Sequence, residues 1–504
     1  MAVHWGGRGP GHIARSIGGF IYNYYVDPVS GSDANPGTIA LPLATLSQAD
    51  TLVGTSTNKR IGIKRGTTLR NDPATFSAAG TYVGAYGLGA RPNLFGSSQT
   101  AVSSFAKVGN LYTLVSHTFN PFTLALVDGS GNATKLYMAS TSNGNSAVDP
   151  AIEGEWTFFP ATHLTPNMLK FFTAATITGY QVEIPQGGVT RDGIVFQAAD
   201  CGASDLSLRY WTGAGSTTSS DRTVWQRVFT DYNAADGKDA GVSSKDIYIG
   251  YGSCNYNGQR LAGANGPGDG VSFHCSTTQF STGIIEFEEF IGNTQTGVGN
   301  QSGCQVITRY CYFEDNNVDY FVYNFAGAPN GAHTFYYNKI VHKTLAKQWS
   351  ATNGTPGTAN EGTTIAIRNN SVYYAAGITL GQASYQATGF TNVLENNVIR
   401  FAGSCSYFGW NTQSGANLTL LTSNNNIMNG FSTGVWQLSG GVFIDPTTET
   451  NRLTSDPLYT NGPAYDLTLQ SGSPAIDSGT NWGQTQDYTG KPITGTPDRG
   501  AYER

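Results

Sequence analysis

A short unit recurs through the second half of this 504-residue chain: an apolar alternation, an asparagine, and one apolar residue two places later. It reads Phe335-Tyr336-Tyr337-Asn338-Lys339-Ile340, then Ile367-Arg368-Asn369-Asn370-Ser371-Val372. It returns as Val393-Leu394-Glu395-Asn396-Asn397-Val398 and Thr422-Ser423-Asn424-Asn425-Asn426-Ile427. Aligned on Asn338, Asn370, Asn396 and Asn425, the units step by 32, 26 and 29 residues. Unequal steps in this range fit stacked coils whose loops vary in length. An asparagine at a tight bend between strands can satisfy backbone groups and stack on its counterpart one coil above. Glu288 and Cys311 fall in the matching places of earlier coils, with steps of 23 and 27. Stretches 205–210, 223–229 and 246–249 read as strands of the coils before those. A chain of this kind grows along one axis, so its length does not count its domains.

Composition agrees. Only 12% of residues are charged, and 64 are glycine, which suits a sheet-rich protein with frequent turns. A 39% hydrophobic and 12% aromatic content can build a long core. The net charge of −6, with no basic stripe, argues against a nucleic-acid partner. It would also repel a strongly anionic polymer unless a local cationic groove offset it. Cys201, Cys254, Cys275, Cys304, Cys311 and Cys405 show no CxxC pair and no metal-type spacing, and are read as small core hydrophobes. The N-terminus lacks a charged region followed by an apolar one, so no secretory signal is expected. No apolar run is long enough to span a membrane.

Two framing stretches carry more. One is Tyr24-Tyr25-Val26-Asp27-Pro28-Val29-Ser30-Gly31-Ser32-Asp33-Ala34-Asn35-Pro36-Gly37-Thr38 with Leu41-Pro42-Leu43-Ala44-Thr45-Leu46. The other is Ser473-Pro474-Ala475-Ile476-Asp477-Ser478-Gly479, closing with Asp498-Arg499-Gly500-Ala501-Tyr502-Glu503. Both resemble the opening and closing signatures of single-stranded right-handed parallel β-helices, the architecture of pectate-lyase-like enzymes and phage tailspikes. The resemblance implies an all-β fold and a tailspike-like depolymerase that binds and hydrolyses a bacterial surface polysaccharide (capsule, exopolysaccharide or O-antigen). It further implies a homotrimer on a virion, acting at the host cell surface and joined to a phage tail or baseplate protein through its N-terminal segment. Membrane insertion is not expected. A lyase acting by β-elimination on a uronic-acid polymer, and a non-catalytic glycan-binding adhesin or structural fibre, are the alternatives. The expected divisions are an attachment or capping segment 1–22, first coils 23–96, a β-rich insertion 97–190, the main helix 191–445 and a closing segment 446–504. Hairpin signals such as Asp128-Gly129 and Gly131-Asn132 mark the insertion.

Chemistry on a β-helix sits on outward polar residues stacked in columns, about 4.8 Å apart. The densest such region is 265–319. There Val271 and Phe273 should point inward, with Ser272 and His274 outward. Ile285 and Phe287 should likewise point inward, turning Glu286 and Glu288 outward, roughly 6.5–7 Å apart. That gap would admit the water of an inverting glycosidase. Asp269 or Asp315 could supply the second carboxylate instead. His274, Arg309, Tyr336, Arg368 and Glu289 are the candidate substrate contacts. Glu286, Arg309, Tyr336 and Arg368 align in one column, although the strand 306–313 can be read in either register. For a lyase, Arg309, Lys339, His342, Lys343 and Arg368 are candidate bases or charge neutralisers, and Lys339, Lys343 and Lys347 also read as a solvated edge. Asp231, Asp236 and Asp239 could bind Ca²⁺ through oxygen, but a simple polar loop is the reading preferred here, and no metal or cofactor is assigned. Trp211, Trp225, Tyr251, Tyr256, Tyr312 and Tyr320 could stack on sugars or simply pack.

Overall fold

The computed structural model describes residues 21–118, 120–138, 149–151, 153–159, 167–186, 190–258, 260–261, 264–265, 268–323, 325, 327–344, 348–353, 363–386, 391–410, 421–438 and 450–504. Most of the expected attachment segment, and Lys347, lie outside them.

Each full coil carries three strands. One coil is Thr282–Glu286, Glu289–Ile291 and Thr296–Gln301; the next is Gln305–Arg309, Tyr312–Glu314 and Val318–Tyr323. Equivalent strands pair in parallel and in register, Glu286 with Arg309, Phe290 with Phe313, Val298 with Tyr320. Stacking of coils gives three long faces. Face one runs from Tyr24–Val26 to Leu421–Asn424, and face three from Ala74–Phe76 to Thr379–Gln386. Face two lies between them, and Val398–Trp410 turns the corner to pair in faces two and three. The protein is a single-stranded right-handed parallel β-helix with an inserted antiparallel β-rich subdomain.

Inward side chains form one continuous core. Aromatic rings stack from coil to coil, Phe290 on Phe313 at 4.8 Å and Tyr374 on Phe401 at 4.6 Å. All six cysteines are free and buried in it. Trp211, Trp225 and Tyr320 belong to this packing and are closed to a sugar. The helix Leu46–Val53 buries Leu46, Ala49 and Val53 against the first coil. No helix among the described residues is long and apolar enough to cross a membrane.

The bend between faces one and two explains the asparagine repeat and corrects its phase. Phe287, Tyr310, Tyr337, Asn369, Asn396 and Asn425 adopt left-handed backbone there, with φ between 48° and 56°. Such a residue interrupts strand alternation, so its successor turns into the core. The buried ladder is therefore Asn338, Asn370, Asn397 and Asn426, not Asn396 and Asn425. Each side-chain amide donates to the next, at 3.0, 2.9 and 3.1 Å. A second ladder, Asn233, Asn257, Asn293 and Asn316, lines the bend between faces two and three.

Two additions flank the helix. Strands from Ser97–Ala101 to Gln181–Pro185 form an eight-stranded, mainly antiparallel sheet with its own core around Trp156 and Phe171. Glu183 anchors its foot, accepting from Arg70 at 2.9 and 3.1 Å, and Tyr232 donates to the Ala133 carbonyl at 3.0 Å. At the other end, residues 450–504 fold back over faces one and two. Trp482 donates to Asn369 at 2.8 Å and lies against Tyr336 and the Arg368 guanidinium.

Candidate active site

The face-one column forms as expected, with Glu286, Arg309, Tyr336 and Arg368 in register. Val306 and Thr308 take the inward places, so Arg309 faces out. The column is nevertheless spent on itself. Glu286 is 3% exposed and accepts from Arg309 at 2.8 Å and from the Tyr248 hydroxyl at 3.1 Å. Arg309 donates to the Tyr336 hydroxyl at 2.9 Å, Arg368 pairs with Glu395 at 3.2 Å, and Trp482 lies over the lower half.

The expected outward pair of Glu286 and Glu288 does not exist. Phe287 takes the left-handed bend and stacks outside, between Tyr251 and Tyr310, instead of pointing inward. Glu288 consequently enters the core, where its carboxylate meets the Lys238 ammonium at 2.5 Å and the Gly252 amide at 2.8 Å, both side chains fully buried. Asp315 caps a loop, accepting from the Lys343 amide at 2.9 Å and the Thr344 hydroxyl at 2.7 Å. Glu289 sits on face two and accepts from Asn255 at 2.8 Å. Asp231 pairs with Arg209 at 3.0 Å and takes the Ser253 hydroxyl at 2.8 Å, apart from Asp236 and Asp239.

The remaining candidates converge on face three, joined by residues the expected site left out. Gly215, Gly237 and Gly270 stack at the entry to this face, where a Cβ would come within 2.5–2.9 Å of the carbonyl oxygen on the next coil. The residues before Gly193, Gly215, Gly237 and Gly270 are Asp192, Ala214, Asp236 and Asp269. Two residues beyond Gly237 and Gly270, Asp239 and Ser272 are register partners. Asp236, Asp239, Ser272 and His274 thus meet across two adjacent coils, with Asp269 beneath.

Hydrogen bonds bind the cluster together. Ser272 Oγ lies 2.8 Å from Asp236 Oδ2 and 3.2 Å from Asp239 Oδ1. Asp236 Oδ1 accepts from the Asp269 amide at 2.8 Å. His274 Nε2 is 3.1 Å from Asp239 Oδ1, both side chains 29% exposed. Asp269 is 5% exposed and accepts from the Thr296 hydroxyl at 2.7 Å. Gly299 leaves it room, since a Cβ there would sit 2.2 Å from Asp269 Oδ2.

The electrostatics divide these acids. Burial, then the charge of Asp239, pushes the Asp236 carboxyl up to about 6 against the Ser272 hydrogen bond. Burial and the neighbouring Asp236 raise Asp269 well above the usual carboxylate range. Burial alone would lower His274, but the hydrogen bond and charge of Asp239, with Asp236 and Asp269, push it up to about 9. The site thus sets a raised carboxyl, Asp236, beside a raised imidazole, His274, with Asp239 hydrogen-bonded to the imidazole.

One oxygen each of Asp236 and Asp239 and one nitrogen of His274 lie within 4.8 Å of one another, close enough to grip a cation. The set is poor for Ca²⁺, which prefers many oxygen ligands. A protonated His274 offers no lone pair at all. The signal that could have located the cluster is the Asp-Gly pair repeated at 192–193, 236–237 and 269–270. Aligning coils on it places Asp239 beside Ser272.

Fold and site together define a parallel β-helix that carries a carboxylate–imidazole cluster on its third face. By structure the chain is similar to XylC, solved in complex with xylose, at 10% identity over 95% of this chain and 98% of that one, with a TM-score of 0.51. It is also similar to the pectate lyase Pel9A (13% identity, 95% and 96% covered, TM-score 0.49). The tailspike protein gp49 from Pseudomonas phage LKA1 matches at 10% identity, 81% and 74% coverage and a TM-score of 0.27. At such identities the likeness is one of fold. No protein-family model matches the sequence, and no curated protein does.

Proposed function

We propose that the protein is a glycoside hydrolase that cleaves a polysaccharide at the face-three cluster. The observation that carries this reading is a raised carboxyl, Asp236, within 4.8 Å of a carboxylate, Asp239, that is paired to an imidazolium. Two carboxyl groups in different electrostatic states are what glycosidic cleavage needs. Asp236 protonates the glycosidic oxygen as the bond breaks. Asp239 attacks the anomeric carbon, and His274 orients it. Asp236, now ionised, then draws the proton from the water that releases the sugar. One oxygen of each lies within 4.8 Å of the other, short of the roughly 6.5–9.5 Å that inverting enzymes keep for a water, so retention is the outcome proposed. The reaction as proposed uses no metal. A sugar in the XylC complex is consistent with this use of the fold.

Elimination is less well served. Arg309, Arg368 and Lys343 are ion-paired, His342 is buried against Tyr374, and Lys339 lies over Tyr312. None stands beside the cluster. The bacterial surface polysaccharide, the virion setting and the homotrimer are proposed on the resemblance of the terminal motifs; light scattering of the purified protein tests the trimer. The decisive experiment incubates the protein with capsular and lipopolysaccharide preparations from a bacterial panel, following new reducing ends and the ultraviolet absorbance of an unsaturated uronate. Reducing ends without absorbance, lost in Asp239→Asn, are expected. Rising absorbance would establish a lyase, and binding without any product an adhesin.

A further inference from the structure

A cavity of about 450 Å³ opens at the far end of the face-three strands, lined among others by Ser219, Ser243, Lys245, Gln279 and Phe280. That size suits one or two sugar rings. Its position follows from register. Thr217 is the strand partner of Asp239, and Ser219 lies two residues further on, on the same outward side. The cavity edge is therefore roughly 6.5–7 Å along the strand from the site. Gly241, two residues past Asp239, lies between Ser219 and His274 in that row and places no side chain there.

We infer that this cavity is a subsite for a uronic acid residue of the substrate, an inference that rests on the glycosidase reading above. Lys245 Nζ stands 5.1 Å from the centre of the Phe280 ring, and the side chain is exposed. It makes no ion pair among the described residues, whereas its neighbour Arg222 is held by Asp200 at 2.6 and 2.8 Å. Asp221, also on the wall, has one oxygen tied to the Lys245 amide at 2.9 Å. The lining thus offers an ammonium outside any ion pair among the described residues, the aromatic ring it stands against, serine hydroxyls and a glutamine amide, with the Asp221 carboxylate held by the Lys245 amide. A uronate presents a carboxylate to the ammonium, an apolar ring face to the aromatic ring and hydroxyls to the serines and glutamine.

Saturation-transfer NMR on the full chain, with sodium glucuronate and glucose as probes, tests this directly. Glucuronate should bind better than glucose, weaken roughly fivefold or more in Lys245→Ala, and recover in Lys245→Arg. Ser219→Trp, which fills the cavity, should abolish the glucuronate signal while the melting temperature holds. Equal signals for the two sugars, or glucuronate binding untouched by Lys245→Ala or Ser219→Trp, would overturn the subsite. Polymer cleavage is read separately. Wild-type cleavage lost in Asp239→Asn, with no Lys245-dependent binding, sinks the subsite and leaves the hydrolase. Lys245-dependent binding with cleavage unchanged in Asp239→Asn keeps the subsite and removes Asp239 as the nucleophile.

Discussion

Lys238 and Asp239 are neighbours on one short strand, and their side chains leave it in opposite directions. Lys238 enters the core, where Glu288, the Cys254 sulfur at 3.1 Å and the Ser253 carbonyl at 3.3 Å surround its ammonium. Asp239 faces solvent and pairs with His274. The inner pair spans coils and has no contact with water. The outer pair is half open and has a titrating acid beside it. A dry, fully bonded charge pair holds structure in place, since breaking it strands the partner. A partly wet cluster in which acids and a base compete for protons can move them.

This contrast breaks cleanly under mutation. The largest effect is expected from Asp239→Asn, which should cut the initial rate of reducing-end formation about 10³–10⁴-fold with the melting temperature little changed. Lys238→Met should do the reverse. It leaves Glu288 alone in the core and should cost about 3–5 kcal/mol in chemical denaturation, while Lys238→Met with Glu288→Leu recovers most of the loss. An unchanged denaturation midpoint in the single variant would show that the inner pair does not hold the coils. A third effect is on pH. Asp236 must be protonated to act as the acid, so kcat/KM should fall about tenfold per unit as pH rises above about 6. Stability follows the same sign. The folded chain binds more protons than the unfolded chain between 3.8 and about 6 at Asp236, and between 6.5 and about 9 at His274. Stability contributed by these groups is full below the lower values and is lost as pH rises through the upper ones. Gly299→Ala pushes on Asp269 from the side and should lower activity roughly tenfold. Its pH limb should shift as Asp269 moves, a change that simple misfolding would not give. The smallest effect is expected from Glu286→Gln, within about twofold in rate, because that carboxylate serves an ion pair away from the cluster.

The sequence carried the architecture well, because a solenoid writes its period into one dimension. The asparagine unit, the face-one column and the inward places of Val271 and Phe273 all follow from spacing. What spacing alone could not settle was the effect of a single backbone angle. At Phe287 the left-handed bend sends an aromatic ring outward and a glutamate inward, against simple alternation. The same bend moved the asparagine ladder by one place at Asn397 and Asn426. His274 and Asp269 could be singled out by their setting in a charge-poor chain. Asp236 and Asp239 looked like loop acids because loops of unequal length hide which residues stack. Ser272 and Asp239 are 33 residues apart and become neighbours only when the coils are aligned on their Asp-Gly corners.

The two asparagine ladders do not run side by side. The ladder that starts at Asn233 ends at Asn316, and the other begins at Asn338, whose Oδ1 accepts from the Cys311 amide at 2.9 Å in the coil that Asn316 also serves. The spine thus passes from one corner of the prism to another midway along it. Each run is built from interchangeable links, so a whole coil can be gained or deleted within either one with its neighbours still matched. In evolutionary terms the length of the rod is an adjustable ruler, stepped by one strand spacing of about 4.8 Å.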